Sequence, residues 1–234
     1  MRKEPEPLRS WTWPHQRLTC RGTSSLMRLC GGYDVYGVEN VPKEGALIAA
    51  NHISYVDPPV VAAALPRRTY FVAKRELFEI PLFGWFIRKN YAFPVERSSA
   101  DRTAMRHAVR LLQAGELVTM FPGGERSPDG SVQEGLPGVA FIAQLAGVGI
   151  IPCALKGTEQ VLPRRAWYLH RGKVAVRFGE PIYVGSPEPG TGRKATVLSA
   201  TETVMHRIAE MRDELYEMDG ETPPDKRIPT ATSI

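Results

Sequence analysis

The chain has 234 residues, 43% of them hydrophobic, with 20 prolines and 21 glycines, enough for one domain with a proper core and many turns. No uninterrupted apolar stretch reaches ~18 residues, which excludes an ordinary transmembrane helix, and the first 30 residues lack the apolar segment of a signal peptide. The net charge is +5, and the first 30 residues carry six Lys/Arg against two Glu. Charge of that size, with no nucleic-acid motif beside it, does not point to nucleic acid as a partner.

Residues 1–21 read as irregular and outside the core, with the basic residues interleaved with Trp11 and Trp13. Basic residues with tryptophan suit an anionic membrane surface; a solvated basic tail has the same composition. A short helix is expected over 22–31, stopped by Gly31-Gly32, followed by a strand over 33–38. Ala46–Ala50 is a buried strand leading into Asn51-His52-Ile53-Ser54-Tyr55-Val56-Asp57-Pro58. Asp57 suits a helix N-cap and Pro58 the first helical position. On a regular helix His52 and Asp57, five apart, would point about 140° from each other. On the loop before Pro58, His52 can fold back onto the carboxylate, and a histidine oriented by a carboxylate is poised as a general base. Taken alone, the same pair is also what a helix cap and a surface side chain look like.

A helix over 60–65 ends at Pro66, and a strand over 69–73 runs into Lys74. A lysine at a strand's carboxyl end faces the side where α/β folds bind ligands. The stretch 77–87 is mostly apolar with the basic flank Arg88-Lys89, so it reads as a lipid-dipping helix or acyl-channel wall, or else as a core helix. The strand 91–97 ends in Arg97. In the helix over 100–114, Met105, Val109 and Leu112 form the apolar face, while Arg102, Arg106 and Arg110 form a solvated stripe; His107, on the same helix, reads as a surface residue and not a catalytic one. The strand 117–121 delivers Pro122-Gly123-Gly124-Glu125-Arg126-Ser127. Glycines after a strand let backbone N–H groups approach an anion, and Arg126 adds a fork of donors suited to phosphate. A helix over 137–147 and a strand over 150–155 follow, where Pro152 signals an edge or a bulge. Residues 161–171 mix Arg164, Arg165, Trp167 and Tyr168; they read as interfacial or simply exposed. The final strand is 173–178, and an amphipathic helix over 196–218 has Val197, Val204, Ile208, Met211 and Leu215 on one face.

The three cysteines, Cys20, Cys30 and Cys153, have neither metal nor disulfide spacing, and a sparse odd count suits a reducing cytosol. Cys153 reads as a small core residue. The division expected is a basic, membrane-associating segment 1–32, a core 33–184, a linker and amphipathic helix 185–220, and a Pro-rich, disordered tail 221–234. Strands alternating with helices predict one α/β domain with a largely parallel or mixed sheet and helices on both faces. His52, Lys74, Arg97 and Arg126 all follow strands, so they should meet at one sheet edge.

Asn51–Asp57 fits the Asn-His-x4-Asp pattern of the glycerolphosphate acyltransferases, and three later stretches match in order: 91–97, 122–127 and 150–155. Over about residues 33–180 the chain resembles the 1-acylglycerol-3-phosphate acyltransferases of that family. The resemblance implies acyl transfer from a thioester of coenzyme A or acyl carrier protein to lysophosphatidate, with His52 and Asp57 as the catalytic dyad. It implies no cofactor, no metal, and a peripheral position on the cytoplasmic face of a membrane. Lys74, in its Ala-Lys-x-Glu-Leu context, is implied to contact the acceptor phosphate, with Arg97, Gly123, Gly124, Glu125 and Arg126 completing the substrate site. The chain departs from the family pattern where a glutamate is usual and Gly123 stands, where a threonine is usual and Glu125 stands, where a basic residue is frequent and Leu136 stands, and where a glycine is usual and Tyr91 stands. A different lipid acceptor, a thioesterase using the same dyad on water, and a non-catalytic lipid-binding protein are the competing readings.

Overall fold

The computed structural model describes residues 14–96, 101–186 and 192–223. Trp11 and Trp13, Arg97, half of the Gly/Pro-rich linker and most of the tail lie outside them.

The architecture follows from how β2 (Ala46–Ala50) buries its side chains. Every residue of this strand is fully buried, the continuous apolar run of a parallel strand covered on both faces. Ala46, Ile48 and Ala50 pack under α1 (Pro14–Cys30) and α2 (Asp57–Ala64). Leu47 and Ala49 face the opposite layer, formed by α4 (Arg102–Gln113), α5 (Gly138–Ala146) and α7 (Arg193–Met218). The remaining strands are β1 (Tyr33–Tyr36), β3 (Thr69–Lys74), β4 (Ala92–Val95), β5 (Leu117–Met120), β6 (Ile150–Lys156) and β7 (Val174–Phe178). They form one seven-stranded sheet in the order β1-β7-β6-β2-β5-β3-β4. Every pairing is parallel except β6 with β7. The carboxyl ends of β2 to β6 therefore open on one edge, with β2 at the centre.

Several local expectations change. The N-terminal helix starts at Pro14, not at 22, and it belongs to the core: Gln16 and Met27 are buried, and the Gln16 amide donates to the Thr69 carbonyl at 3.2 Å. The stretch 77–87 is not one helix. A tight turn over Arg75–Phe78 precedes α3 (Phe83–Lys89), and Pro81 with Leu82 at φ 63° breaks the path between them. Tyr91, where the family pattern begins with glycine, takes the left-handed φ of 63° and packs edge-on against Tyr70 at 5.2 Å. An aromatic in the left-handed region is strained, and this packing and the Arg68 guanidinium over its ring oppose that strain. On α4 the buried face is Ala104, Ala108, Leu111 and Leu112, with Asp101 capping the N-terminus; the Arg102, Arg106 and Arg110 stripe is exposed, as its spacing predicts.

Pro152 lies inside the sheet, on a bulge and not on an edge. Ile150 bridges Ile182 while Cys153 pairs with Phe178, so the strand opposite carries one residue too many. The missing N–H faces this irregular stretch, where Gly179 still donates to the Pro152 carbonyl. Cys153 is fully buried, and burial first, the Asp57 charge second, pushes its thiol far up, so it stays protonated as a core residue.

The helix α7 crosses the sheet with Val197, Val204, Ile208, Met211 and Leu215 buried. It is pinned by Lys156, which is 1% exposed and pairs with Asp219 at 2.7 Å and Glu221 at 3.2 Å. Lys156 and then Lys173 hold the Asp219 carboxyl below its usual range. A depressed carboxylate stabilises the fold above its ordinary titration range, and the contribution fades as pH falls toward the depressed value. Asp219→Asn should therefore cost about 1–3 kcal/mol near neutral pH and remove part of the loss of stability in acid. Urea midpoints of both proteins at pH 7 and pH 4 check this.

Candidate active site

The loop after β2 is shaped by side chains that replace missing backbone partners. The Asn51 amide donates to the Leu155 carbonyl at 3.0 Å and accepts from the Leu155 N–H at 2.7 Å, extending the β2–β6 ladder by one side chain. His52 then turns away from the sheet. Its Nδ1 lies 2.7 Å from Asp57 Oδ2, and its ring stacks on Phe121 with centroids 4.3 Å apart. The Ser127 N–H donates to the His52 carbonyl at 2.7 Å, joining this loop to the one after β5.

Asp57 does not cap the helix. Val56 is the N-cap and Asp57 the first helical residue. Pro58 and Pro59 have no N–H to offer a capping carboxylate, so it turns backward into the preceding loop. There Oδ2 accepts from the N–H groups of Ile53 and Ser54, each at 2.7 Å, besides His52. Oδ1 accepts from the Thr158 hydroxyl at 2.5 Å. Asp57 is fully buried, with hydrogen-bond donors on both carboxylate oxygens. A carboxylate at Oδ2 fixes the imidazole proton on Nδ1 and leaves the Nε2 lone pair free toward the cavity; the tautomer follows from the partner.

That cavity, about 500 Å³, is lined by His52 and Phe121 together with residues of two kinds. Tyr55, Lys74, Glu125, Arg126 and Arg164 are polar or charged, with Gly124 beside them in sequence. Pro58, Pro59, Ala62, Phe71, Leu77, Phe83, Phe86 and Ile87 are apolar, and Gln16 and Thr19 of α1 also line it. The expected meeting of His52, Lys74 and Arg126 at one edge is therefore what the fold produces. Arg97 lies outside the described residues. Lys74 is the last residue of β3, and its ammonium pairs with Glu125 at 3.0 Å. Both groups are well exposed, so the pair is weak and an incoming anion can displace it. The Arg126 guanidinium lies 3.5 Å from the centre of the Tyr55 ring, and its Nη1 is buried with no hydrogen-bond partner among the described residues. An orphaned donor of that kind marks a place where a ligand acceptor fits.

Of the two loop glycines, Gly124 lines the cavity and takes φ 74°, in the left-handed region that favours glycine. Gly123 sits beside Gln133, whose Oε1 lies 3.2 Å from where a Cβ would stand. The stretch 77–87 contributes to the apolar lining through Leu77, Phe83, Phe86 and Ile87. It also leaves Leu82 and Trp85 exposed, at 83% and 60%. The stretch is therefore not a core helix: part of it lines the cavity and part is exposed.

Three contributors were not legible beforehand. Thr158 and Leu155 come from β6 and the start of α6 (Thr158–Val161), about a hundred residues after His52, and only the β2–β6 register brings them close. Arg164, from the irregular stretch after α6, lines the cavity, although its local sequence reads only as interfacial or exposed. Among the described residues, no group of three or more His, Cys, Asp or Glu is placed to hold a metal ion.

Comparison with known proteins matches this geometry to a family. The family model described as Acyltransferase matches residues 32–156, more than half of the chain, from the start of β1 to the end of β6. The 1-acyl-sn-glycerol-3-phosphate acyltransferase of Bacillus subtilis is 30% identical over 200 residues, covering 82% of this chain and 94% of the relative. The Streptococcus pneumoniae enzyme of the same name is 28% identical over 201 residues, 84% of this chain and 70% of its own. The crystal structure of the 1-acyl-sn-glycerophosphate acyltransferase PlsC from Thermotoga maritima superposes with a TM-score of 0.68 at 28% identity, covering 84% of this chain and 79% of that one. On these likenesses the chain belongs to the acyltransferase family and is an O-acyltransferase.

Proposed function

We propose that the protein moves a fatty acyl group from a thioester of coenzyme A or acyl carrier protein to the free hydroxyl of lysophosphatidate, giving phosphatidate. The observation that carries this reading is a carboxylate-oriented imidazole lining one cavity together with cationic and apolar side chains. His52 Nε2 takes the proton of the acceptor hydroxyl. The oxygen attacks the thioester carbonyl, the C–S bond breaks, and the imidazolium returns the proton to the leaving thiolate. Asp57 keeps its own proton balance unchanged and stabilises the imidazolium. Arg126, with Lys74 released from Glu125, holds the acceptor phosphate, and the apolar lining takes acyl chain. No covalent enzyme intermediate is required.

The test is an acceptor screen with purified protein and both kinds of thioester donor. Phosphatidate should form when lysophosphatidate is supplied. Thiol release that ignores the acceptor would mark a thioesterase instead. Acyl transfer to another lysophospholipid in preference to lysophosphatidate is the second reading, and Gly123 in the place of the family's glutamate favours it.

The same proposal sets the protein peripherally on the anionic cytoplasmic leaflet. Helix α1 exposes Leu18 and Leu29 between Arg17, Arg21 and Arg28, and α3 exposes Trp85 after Leu82. Residues of both helices line the cavity, which gives a lipid chain a way in from the membrane surface. No helix of the described residues is long and apolar enough to cross a membrane. The protein should sediment with anionic vesicles at low salt and be released at least in part by high salt or carbonate. Failure to bind such vesicles at low salt would sink the idea.

A further inference from the structure

We infer that Thr158 is a positioning residue for the reaction: its hydroxyl anchors the Asp57 carboxylate so that Oδ2 stays aimed at His52 Nδ1. The inference rests on the dyad reading proposed above and extends it to a third side chain. Asp57 Oδ2 is held by two backbone N–H groups and the imidazole, but among the described residues Oδ1 has one donor, Thr158 Oγ1 at 2.5 Å. With that donor removed, the carboxylate keeps only contacts on one oxygen and can pivot about them, taking the imidazole with it. Both Asp57 and Thr158 are fully buried, so water does not readily take the hydroxyl's place.

The fold spends several features on setting this one hydroxyl. Asn51 locks Leu155 into register with the strand that carries His52. At Gly157 the chain takes φ 84°, and a Cβ there would run into the Lys173 carbonyl, so the turn that swings Thr158 back beneath Asp57 needs glycine. The next residue, Glu159, is fixed by the Tyr216 hydroxyl of α7 at 3.0 Å. Thr158 itself heads α6, where a side chain facing Asp57 is not needed to cap anything: Gly157 is the N-cap, and no side chain caps the helix. The hydroxyl's recorded partner is the carboxylate.

Thr158→Val keeps the shape and removes the donor; Thr158→Ser keeps the donor and removes a methyl group. Kinetics of both, with thermal melts, test the inference. A lost hydrogen bond to a charged group typically corresponds to a tenfold effect or more. The Val variant should therefore lose about 10- to 30-fold in kcat with both substrates' KM little changed, and the Ser variant should stay within about threefold of wild type. In an Asp57→Asn background, Thr158→Val should cost less than about threefold, because its target has already lost its charge. A Val variant within twofold of wild type, a Ser variant as slow as Val, a loss confined to KM, or full additivity with Asp57→Asn would each overturn the role. His52→Ala measured beside them separates the two ideas. If that variant is inactive and Val is not, only the Thr158 inference fails; if that variant is itself active, the dyad reading fails with it.

Discussion

Replacing His52 by Ala should lower the rate of acyl transfer at least ~100-fold, the scale of a positioned general base, and leave the fold standing. Among the described residues the imidazole's hydrogen bond is to Asp57, and Asp57 keeps three other donors when the ring is gone. The backbone links that shape the loop, from Ser127 to the His52 carbonyl and from Asn51 to Leu155, do not use the ring. Asp57→Asn should lose less but still much. An amide oxygen can accept from Ile53 and Ser54 in place of Oδ2, and the Thr158 hydroxyl can rotate to accept from the amide nitrogen. What is lost is the charge that stabilises the imidazolium. Steady-state rates with saturating thioester and lysophosphatidate, beside circular dichroism and a thermal melt, check both variants. An Ala variant that is folded and keeps more than half the wild-type rate would end the general-base reading.

How much of this was legible in the sequence follows from how local each feature is. The strands and their loops carry their own signals. A continuous apolar run marks β2, and the polar or glycine-rich residues after β2, β3 and β5 mark the edge where His52, Lys74 and Arg126 meet. Helix α1 was read short because its inner face has the right period in the wrong chemistry. Gln16, Thr19, Cys20, Thr23, Ser24, Met27 and Cys30 are the buried or half-buried positions, at i, i+3, i+4, i+7, i+8, i+11 and i+14 along one face. A period written in small polar residues is invisible to a search for apolar ones. The Asp57 cap failed for a reason that is in the sequence, namely that the two prolines after it remove the donors a cap needs. Thr158 and Arg164 could not be read, because their roles come from the pairing of β2 with β6 and from a connection without regular structure. Residues 77–87 were ambiguous in composition alone. Pro81 and the left-handed Leu82 resolve them by breaking the helix and turning one part to the cavity and another to solvent.

Arg126→Ala should raise the apparent Michaelis constant for the phosphorylated acceptor about tenfold or more and leave that of the thioester donor nearly unchanged. The guanidinium is held in place before any ligand arrives, over the Tyr55 ring at 3.5 Å, with Nη1 buried and without a partner among the described residues. An acceptor phosphate therefore gains a charge-assisted contact without first having to order the side chain. Such contacts are worth roughly 1.5–3 kcal/mol, and ~1.4 kcal/mol is tenfold. Arg126→Lys keeps the charge but loses the fork and its stacking on Tyr55, so it should recover only part of the affinity. Lys74→Ala should act in the same direction with a smaller effect, because its ammonium must first leave Glu125. Gly123→Glu then identifies the acceptor. The new side chain starts 3.2 Å from Gln133 Oε1, the far end of a side chain that can swing aside. If lysophosphatidate is the true acceptor, this variant should use it better than wild type does. If the variant is folded and inactive, Gly123 leaves room for a larger head group and the substrate is a different lysophospholipid. A fall in donor and acceptor affinity by the same factor in Arg126→Ala counts against a phosphate at this guanidinium altogether, since a contact made by the acceptor alone cannot weaken both.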